Sequence, residues 1–178
     1  MKKAILMPII AILAAAILLY AASMGLSGLW SANRQKEHIN IMQTLLPGST
    51  EFTKEAYTGE DTNIRAVHKA ENGYVIETCV YGYAGDITML VGVSNEGTVT
   101  GLVVRDLEET YTLGREALTD HVYLAQYLNT SGEAEVGTNV DAISGATVTS
   151  KAITRSVNSA VAFVTGADTS SGATEWGG

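Results

Sequence analysis

The chain has 178 residues, of which 11 are basic and 19 acidic, and its formal net charge is −8. A nucleic-acid-binding protein needs Lys and Arg patches for the phosphates, so this balance argues against that class. Cys79 is the only cysteine, which excludes a disulfide within the chain and an iron–sulfur cluster built from its own thiolates. The three histidines are far apart in sequence, which argues against a zinc site.

An apolar stretch from Ala4 to Leu26 follows Lys2 and Lys3. Its length suits a membrane-spanning helix, which needs about 20 residues, so we predict a membrane anchor over residues 1–30. The two lysines predict a cytoplasmic N-terminus, with the rest of the chain outside the membrane. A cleaved signal peptide is the alternative, because Ala21-Ala22-Ser23 offers small residues for cleavage. The apolar run is longer than a usual signal core, which favours a retained anchor.

Residues 31–62 are predicted to form an amphipathic helix and a linker. Apolar residues recur at helical spacing from Arg34 to Leu46, and Pro47-Gly48 provides a stop. The following residues, 49–62, are polar and irregular.

Residues 63–166 are predicted to form an α+β domain, an antiparallel β meander packed with helices. Short glycine-bearing turns separate four runs rich in Val, Ile, Thr and Tyr, as in consecutive hairpins. The predicted strands cover about residues 63–70, 74–82, 86–94 and 98–105. A helix over 118–128, a short strand over 134–140 and a helix over 152–164 follow, the last ending at Gly166. The tail, residues 167–178, is rich in Ser, Thr and Gly and is predicted to be flexible.

The stretch with the clearest chemical content is Asp141-Ala-Ile-Ser-Gly-Ala-Thr147, directly before the last helical pattern. Free N–H groups and the positive end of the helix dipole favour a phosphate at such a place. Gly145 and Ala146 leave the backbone approachable, and Thr147 offers an alcohol beside the anion site. Asp141 is placed to hold a metal or to orient an incoming phosphoryl donor. The alternative is a hydroxyl-rich helix cap without further function.

The same seven residues resemble the flavinylation motif of the FMN-binding domain family, Asp-x-x-Ser/Thr-Gly-Ala-Thr. The loop Glu109-Thr-Tyr-Thr-Leu-Gly114 resembles that family's Glu-Thr-Pro-Gly-Leu-Gly loop, with Tyr111 and Thr112 in place of Pro and Gly. Three further segments are similar to the family's hairpins: Gly82–Asp86, Leu90–Val93 and Gly97–Gly101.

The resemblance implies FMN joined covalently to Thr147 through a phosphoester bond. It also implies a separate flavin transferase, which moves the FMN part of FAD onto this hydroxyl with Mg²⁺. The loop at 109–114 is expected to lie against the isoalloxazine ring. The candidate cofactor-binding residues are therefore Thr147, Asp141, Ser144, Gly145, Ala146, Thr149, Thr110, Thr112, Leu113 and Gly114.

With its anchor and short length, the chain is similar to the G subunits of the Rnf electron-transport complexes. That resemblance implies an electron carrier that works with membrane and iron–sulfur or flavin subunits, in a machine coupling ferredoxin and NAD⁺ to Na⁺ or H⁺ transport. Two other functions stay open. One is a stand-alone extracellular flavoprotein, and the other is a cofactor-free anchored binding module.

The tail contains a second copy of the motif, Asp168-Thr-Ser-Ser-Gly-Ala-Thr174. Unlike the first copy, it precedes Glu-Trp-Gly-Gly and no helical pattern follows. Thr174 is thus a candidate for a second flavin attachment.

Overall fold

The structure, a computed structural model, describes residues 2–107 and 120–167. The chain divides into two compact units, residues 1–40 and 41–178. The first helix, α1, covers Lys2–Leu45. Among the described residues no helix is long and apolar enough to cross a bilayer. The predicted anchor is therefore not confirmed.

A five-stranded antiparallel sheet forms the centre of the second unit, with its strands in chain order. The strands are β1 (Thr53–Glu55), β2 (Ile64–Lys69), β3 (Gly73–Tyr81), β4 (Asp86–Ser94) and β5 (Val99–Leu107). The predicted meander is confirmed in β2 to β5. The three-residue strand β1 lies in the stretch expected to be irregular, where its polar sequence gives no strand pattern.

Three helical elements follow the sheet within the described residues. They are α2 (His121–Leu124), a 3-10 helix (Ala125–Tyr127) and α3 (Thr147–Thr165). Asp120 caps α2, since its carboxylate accepts hydrogen bonds from the N–H groups of Val122 (2.8 Å) and Tyr123 (3.2 Å). Gly166 ends α3 in the left-handed conformation at φ 70°, as the sequence predicts.

The main core lies between one face of the sheet and α3. Alternating residues of β3 and β4, such as Ile76 and Val91, are fully buried there together with Ile153 and Val157 of α3. The opposite face receives the end of α1. Gly92 and Gly101 are paired on β4 and β5, and the backbone of Leu45 approaches both so closely that an added Cβ would crowd it.

The predicted strand over residues 134–140 is wrong, since only an isolated bridge joins Val136 and Val140 there. The side chain of Asn139 forms hydrogen bonds with backbone groups of this segment. It accepts a hydrogen bond from Glu135 N (2.7 Å) and donates one to Glu133 O (2.6 Å). Gly137 has φ 88°, so the chain turns back on itself instead of extending.

Candidate functional site

The motif at 141–147 forms a tight turn that leads straight into α3. Ala146 N donates to Ile143 O across 2.9 Å, which closes a four-residue turn. Gly145, its third residue, has φ 79°, the left-handed value that a type II turn requires at this position. The glycine is therefore needed for the shape of the turn, and Thr147 is the first residue of the helix.

Burial separates the motif residues into two groups. Asp141, Ser144, Gly145 and Thr147 are exposed, whereas Ala146 and Thr149 are buried. Asp141, Ser144 and Thr147 thus expose a carboxylate and two hydroxyl side chains along the seven residues that lead into α3. Thr149, expected among the cofactor-binding residues, has its side chain among protein atoms.

The N-terminus of α3 is not capped by a side chain. Ala146 occupies the N-cap position and makes no side-chain cap bond, and alanine is a poor residue there. The first N–H groups of a helix have no partner within the helix, so an uncapped start favours an anion. These features fit a phosphodiester on Thr147: an exposed oxygen nucleophile, a φ-positive glycine and an uncapped helix start. The interpretation of the hydroxyls as a plain N-cap finds no support in this geometry.

Two basic residues extend the electrostatics of the site along α3. Lys151 and Arg155 follow Thr147 at intervals of four residues, and all three are exposed. Residues four apart lie on the same face of a helix. Two positive charges are thus aligned with Thr147. The four-residue spacing of these three residues in the sequence could have revealed this feature.

Ser150, in the first turns of α3, links the helix to the preceding turn. It is fully buried, its Oγ accepts a hydrogen bond from Ile143 N (3.2 Å), and it donates one to Ala146 O (3.0 Å). A second tie comes from Gln126, whose Oε1 accepts from Asp141 N at 2.8 Å. Neither role was predicted. A buried hydroxyl leaves no periodic pattern, and Gln126 is 15 residues away from its partner.

A chain of buried hydroxyls supports the same part of α3. Thr154 Oγ1 donates its single proton to Ser150 O at 3.0 Å. In the 2.8 Å hydrogen bond between Tyr127 and Thr154, the Tyr127 hydroxyl is therefore the donor. Tyr123 lies 3.0 Å from Tyr127, hydroxyl to hydroxyl. Burial is the main cause that raises the pKa of Tyr127 far above its ordinary value. The hydroxyl therefore stays protonated and available as a donor.

Several expected site residues lie outside the described residues. These are Thr110, Thr112, Leu113 and Gly114 of the predicted ring-facing loop, and Thr174 of the second motif. Within the described ranges, no group of three His, Cys, Asp or Glu side chains is arranged to hold a metal ion. In that part of the chain, Asp141 therefore belongs to no such group of metal-ligating side chains.

Comparison with known proteins agrees with the geometry. Residues 82–162 match the model of the FMN-binding domain family, which spans β4, β5, the turn and most of α3. The chain is 32% identical over 181 residues to the G subunit of the ion-translocating oxidoreductase complex of Methanosarcina acetivorans, with 92% of this chain and 93% of the relative covered. The chain belongs to the family formed by the G subunits of ion-translocating oxidoreductase complexes.

Two further relatives in this family match over about half of their length. The G subunit of the Na⁺-translocating ferredoxin:NAD⁺ oxidoreductase complex of Acetobacterium woodii is 35% identical over 100 residues, covering 50% of this chain and 47% of the relative. The G subunit of the proton-translocating ferredoxin:NAD⁺ oxidoreductase complex of Clostridium ljungdahlii is 34% identical over 99 residues, covering 52% and 53%. The expected family resemblance is confirmed.

Proposed function

We propose that this chain carries FMN covalently on Thr147 and relays electrons within an ion-translocating ferredoxin:NAD⁺ oxidoreductase complex. The observation that carries the proposal is the exposed Thr147 side chain at the uncapped N-terminus of a 19-residue helix. The match to the FMN-binding domain supports the cofactor. The chain is then an electron-carrying part of a translocase rather than a complete enzyme, with its flavin domain over residues 63–166.

Attachment is a phosphoryl transfer catalysed by a separate flavin transferase with FAD as donor. The Thr147 hydroxyl oxygen forms a bond to the FMN phosphorus, the pyrophosphate P–O bond breaks, and AMP leaves. The hydroxyl proton passes to a base of the transferase. In this chain, Gly145 gives the transferase access to Thr147, and the helix N–H groups stabilise the remaining phosphodiester charge.

The residues around Thr147 position and screen the attached group. Lys151 and Arg155 balance the phosphodiester charge along the exposed face of α3, and the exposed Asp141 and Ser144 precede the attachment point in the same segment. Bound FMN supplies the redox chemistry, while the protein sets its position and potential. We propose that the loop with Thr110, Thr112, Leu113 and Gly114 contacts the ring, a role that the family resemblance implies.

The family supports a proposal for the partners and the location. The relatives' names place their G subunits in ferredoxin:NAD⁺ oxidoreductase complexes that translocate Na⁺ or protons. We assign this chain to such a complex, with membrane and iron–sulfur or flavin subunits as partners. Residues 1–30 then anchor it, with the N-terminus cytoplasmic and the flavin domain outside. A stand-alone extracellular flavoprotein is the alternative, and co-purification of integral membrane subunits decides against it.

A denaturing gel tests covalent attachment. The full chain is produced with a flavin transferase and its fluorescence is recorded after SDS treatment, beside Thr147→Ala and the exposed control Thr138→Ala. The proposal predicts equally fluorescent bands for wild type and Thr138→Ala and a weaker band for Thr147→Ala, which retains only the second motif. A wild-type band without fluorescence would favour the cofactor-free binding module.

The second motif is proposed to accept a second FMN at Thr174. Five of its seven positions are identical to the first copy, including the complete Ser-Gly-Ala-Thr run. Intact-mass analysis expects two FMN increments in wild type and one each in Thr147→Ala and Thr174→Ala. A single increment that is absent in Thr147→Ala would exclude the second site.

A further inference from the structure

We infer that Ser150 is a positioning residue for flavin attachment, because it fixes the turn that presents Thr147 to the transferase. The inference rests on the proposed function of Thr147. Its structural basis is the juxtaposition of one buried hydroxyl with both ends of the Ile143–Ala146 turn.

The contacts of Ser150 show why it controls the turn. Its Oγ is the acceptor for Ile143 N (3.2 Å) and the donor to Ala146 O (3.0 Å). Ile143 and Ala146 are the first and last residues of the turn, which are also joined directly by the Ala146 N to Ile143 O bond. One side chain thus holds the backbone immediately before Thr147 at two points. Since Ser150 is fully buried, water cannot easily replace these bonds when the hydroxyl is removed.

The support of Ser150 extends to the segment of α2 and the 3-10 helix. The Tyr127 hydroxyl binds the Thr154 hydroxyl, which in turn donates a hydrogen bond to Ser150 O. Gln126 Oε1 accepts a hydrogen bond from Asp141 N. Residues 121–127 therefore brace the motif at Asp141, its first residue, and at Ser150, just beyond its last. The motif is held as a shaped surface, and the transferase meets Thr147 in one fixed orientation.

Fixed orientation matters because transfer requires the attacking oxygen to be aligned with the phosphorus. A displacement of about 1 Å at a reacting atom costs up to roughly 100-fold in rate. Loss of the Ser150 hydroxyl frees Ile143 N–H and loosens the turn before Thr147. We expect Ser150→Ala to incorporate FMN at Thr147 about tenfold more slowly.

The helix offers two matched controls. Ser156 Oγ is also buried but has no hydrogen-bond partner, so Ser156→Ala removes a buried hydroxyl without removing a bond. Ser159 Oγ accepts a hydrogen bond from Asn63 Nδ2 at 3.1 Å, so Ser159→Ala removes a bond about 13 Å further along the helix. Both controls should incorporate FMN at the wild-type rate.

The experiment measures FMN incorporation into each full-length variant by intact mass over time, with purified transferase, FAD and Mg²⁺, well below every variant's melting temperature. The variants also carry Thr174→Ala, so that only the first motif is followed. Amide exchange of Ile143 is recorded in parallel, and it should speed up in Ser150→Ala while the amides of β3 and β4 stay protected. Gln126→Met, which removes a half-buried side-chain acceptor, provides a second variant with an expected slowing of about threefold.

The outcomes separate this inference from the proposed function. No incorporation into the Thr147-containing parent would overturn the proposed attachment, and this inference with it. Incorporation into Ser150→Ala at the parent rate would overturn only the positioning role. Equal slowing in Ser159→Ala would also overturn it, since the effect would then reflect helix stability rather than the turn.

Discussion

The sheet with α3 and the segment that connects them are held together by different forces. In β3 and β4 side chains facing the helix, such as Ile76, Ile87 and Val91, are fully buried, and the backbone ladder pairs Gly73–Tyr81 residue by residue with Asp86–Ser94. Residues 129–146, by contrast, are shaped by single polar side chains that bind backbone groups. The difference teaches that apolar burial provides the stability of the domain, whereas isolated hydrogen bonds determine the geometry of the attachment turn.

The largest effect is expected from a cavity in the core. Ile153 of α3 is fully buried against the sheet, and replacing such a residue by alanine costs about 2–5 kcal/mol. Ile153→Ala should lower the free energy of unfolding of the whole domain by this amount, measured by urea denaturation. Val122, which is 82% exposed, supplies the control, because Val122→Ala should change stability by less than about 0.5 kcal/mol. Equal effects in the two variants would contradict the assignment of the core.

Tyr127 combines the two kinds of interaction in one side chain. Its ring is buried in the apolar core, and its hydroxyl belongs to the chain of buried hydroxyls that supports α3. Tyr127→Phe keeps the ring and leaves Tyr123 without its partner, which should cost about 1–2 kcal/mol. Burial raises the pKa of Tyr127 above its ordinary value of 10.0. The unfolded chain therefore loses this proton above pH 10 while the native protein retains it, and the stability that Tyr127 contributes declines as the pH rises.

The measurement for Tyr127 is urea unfolding of wild type and Tyr127→Phe from pH 8 to 11. The difference between the free energies of unfolding of wild type and Tyr127→Phe should be constant up to about pH 10 and become smaller above it. A gap that widens above pH 10 would mean that the native tyrosine ionises more easily than the unfolded one.

The smallest effect on global stability is expected from the connecting segment. Asn139→Ala removes two hydrogen bonds at an exposed site, and the expected cost is about 1 kcal/mol or less. Its main effect should be local, with faster amide exchange at Glu135 than in Thr138→Ala, a neighbouring exposed control. A loss of stability as large as that in Ile153→Ala would remove the distinction between the two regions.

The accuracy of the sequence predictions follows the same division. The strands from residue 64 to 107 and the helix ending at Gly166 could be predicted, because burial on one face imposes a period on the sequence. The strand expected at 134–140 was wrong, since Asn139 redirects the backbone and a single side chain leaves no period. The apolar pattern predicted α3 from residue 152, whereas the helix begins five residues earlier, at Thr147, and the absence of a side-chain cap at Ala146 could only be seen in the structure.

The candidate site was predictable where it depends on the motif. Gly145 adopts the positive φ that glycine permits, and Thr147 is exposed at the helix start, as expected. The supporting residues Ser150 and Gln126 were not found, because their roles depend on contacts between segments. The ring-facing loop stays a prediction from the family resemblance.

Peptide mapping by mass spectrometry tests the central claim most directly. The full chain is flavinylated, digested, and the peptide containing Thr147 is fragmented to locate the added mass. The account predicts one FMN in phosphoester linkage on Thr147, and Thr147→Ala should yield an unmodified peptide from this region. FMN mapped to Ser144 or Thr149, or an unmodified wild-type peptide from flavinylated protein, would contradict it.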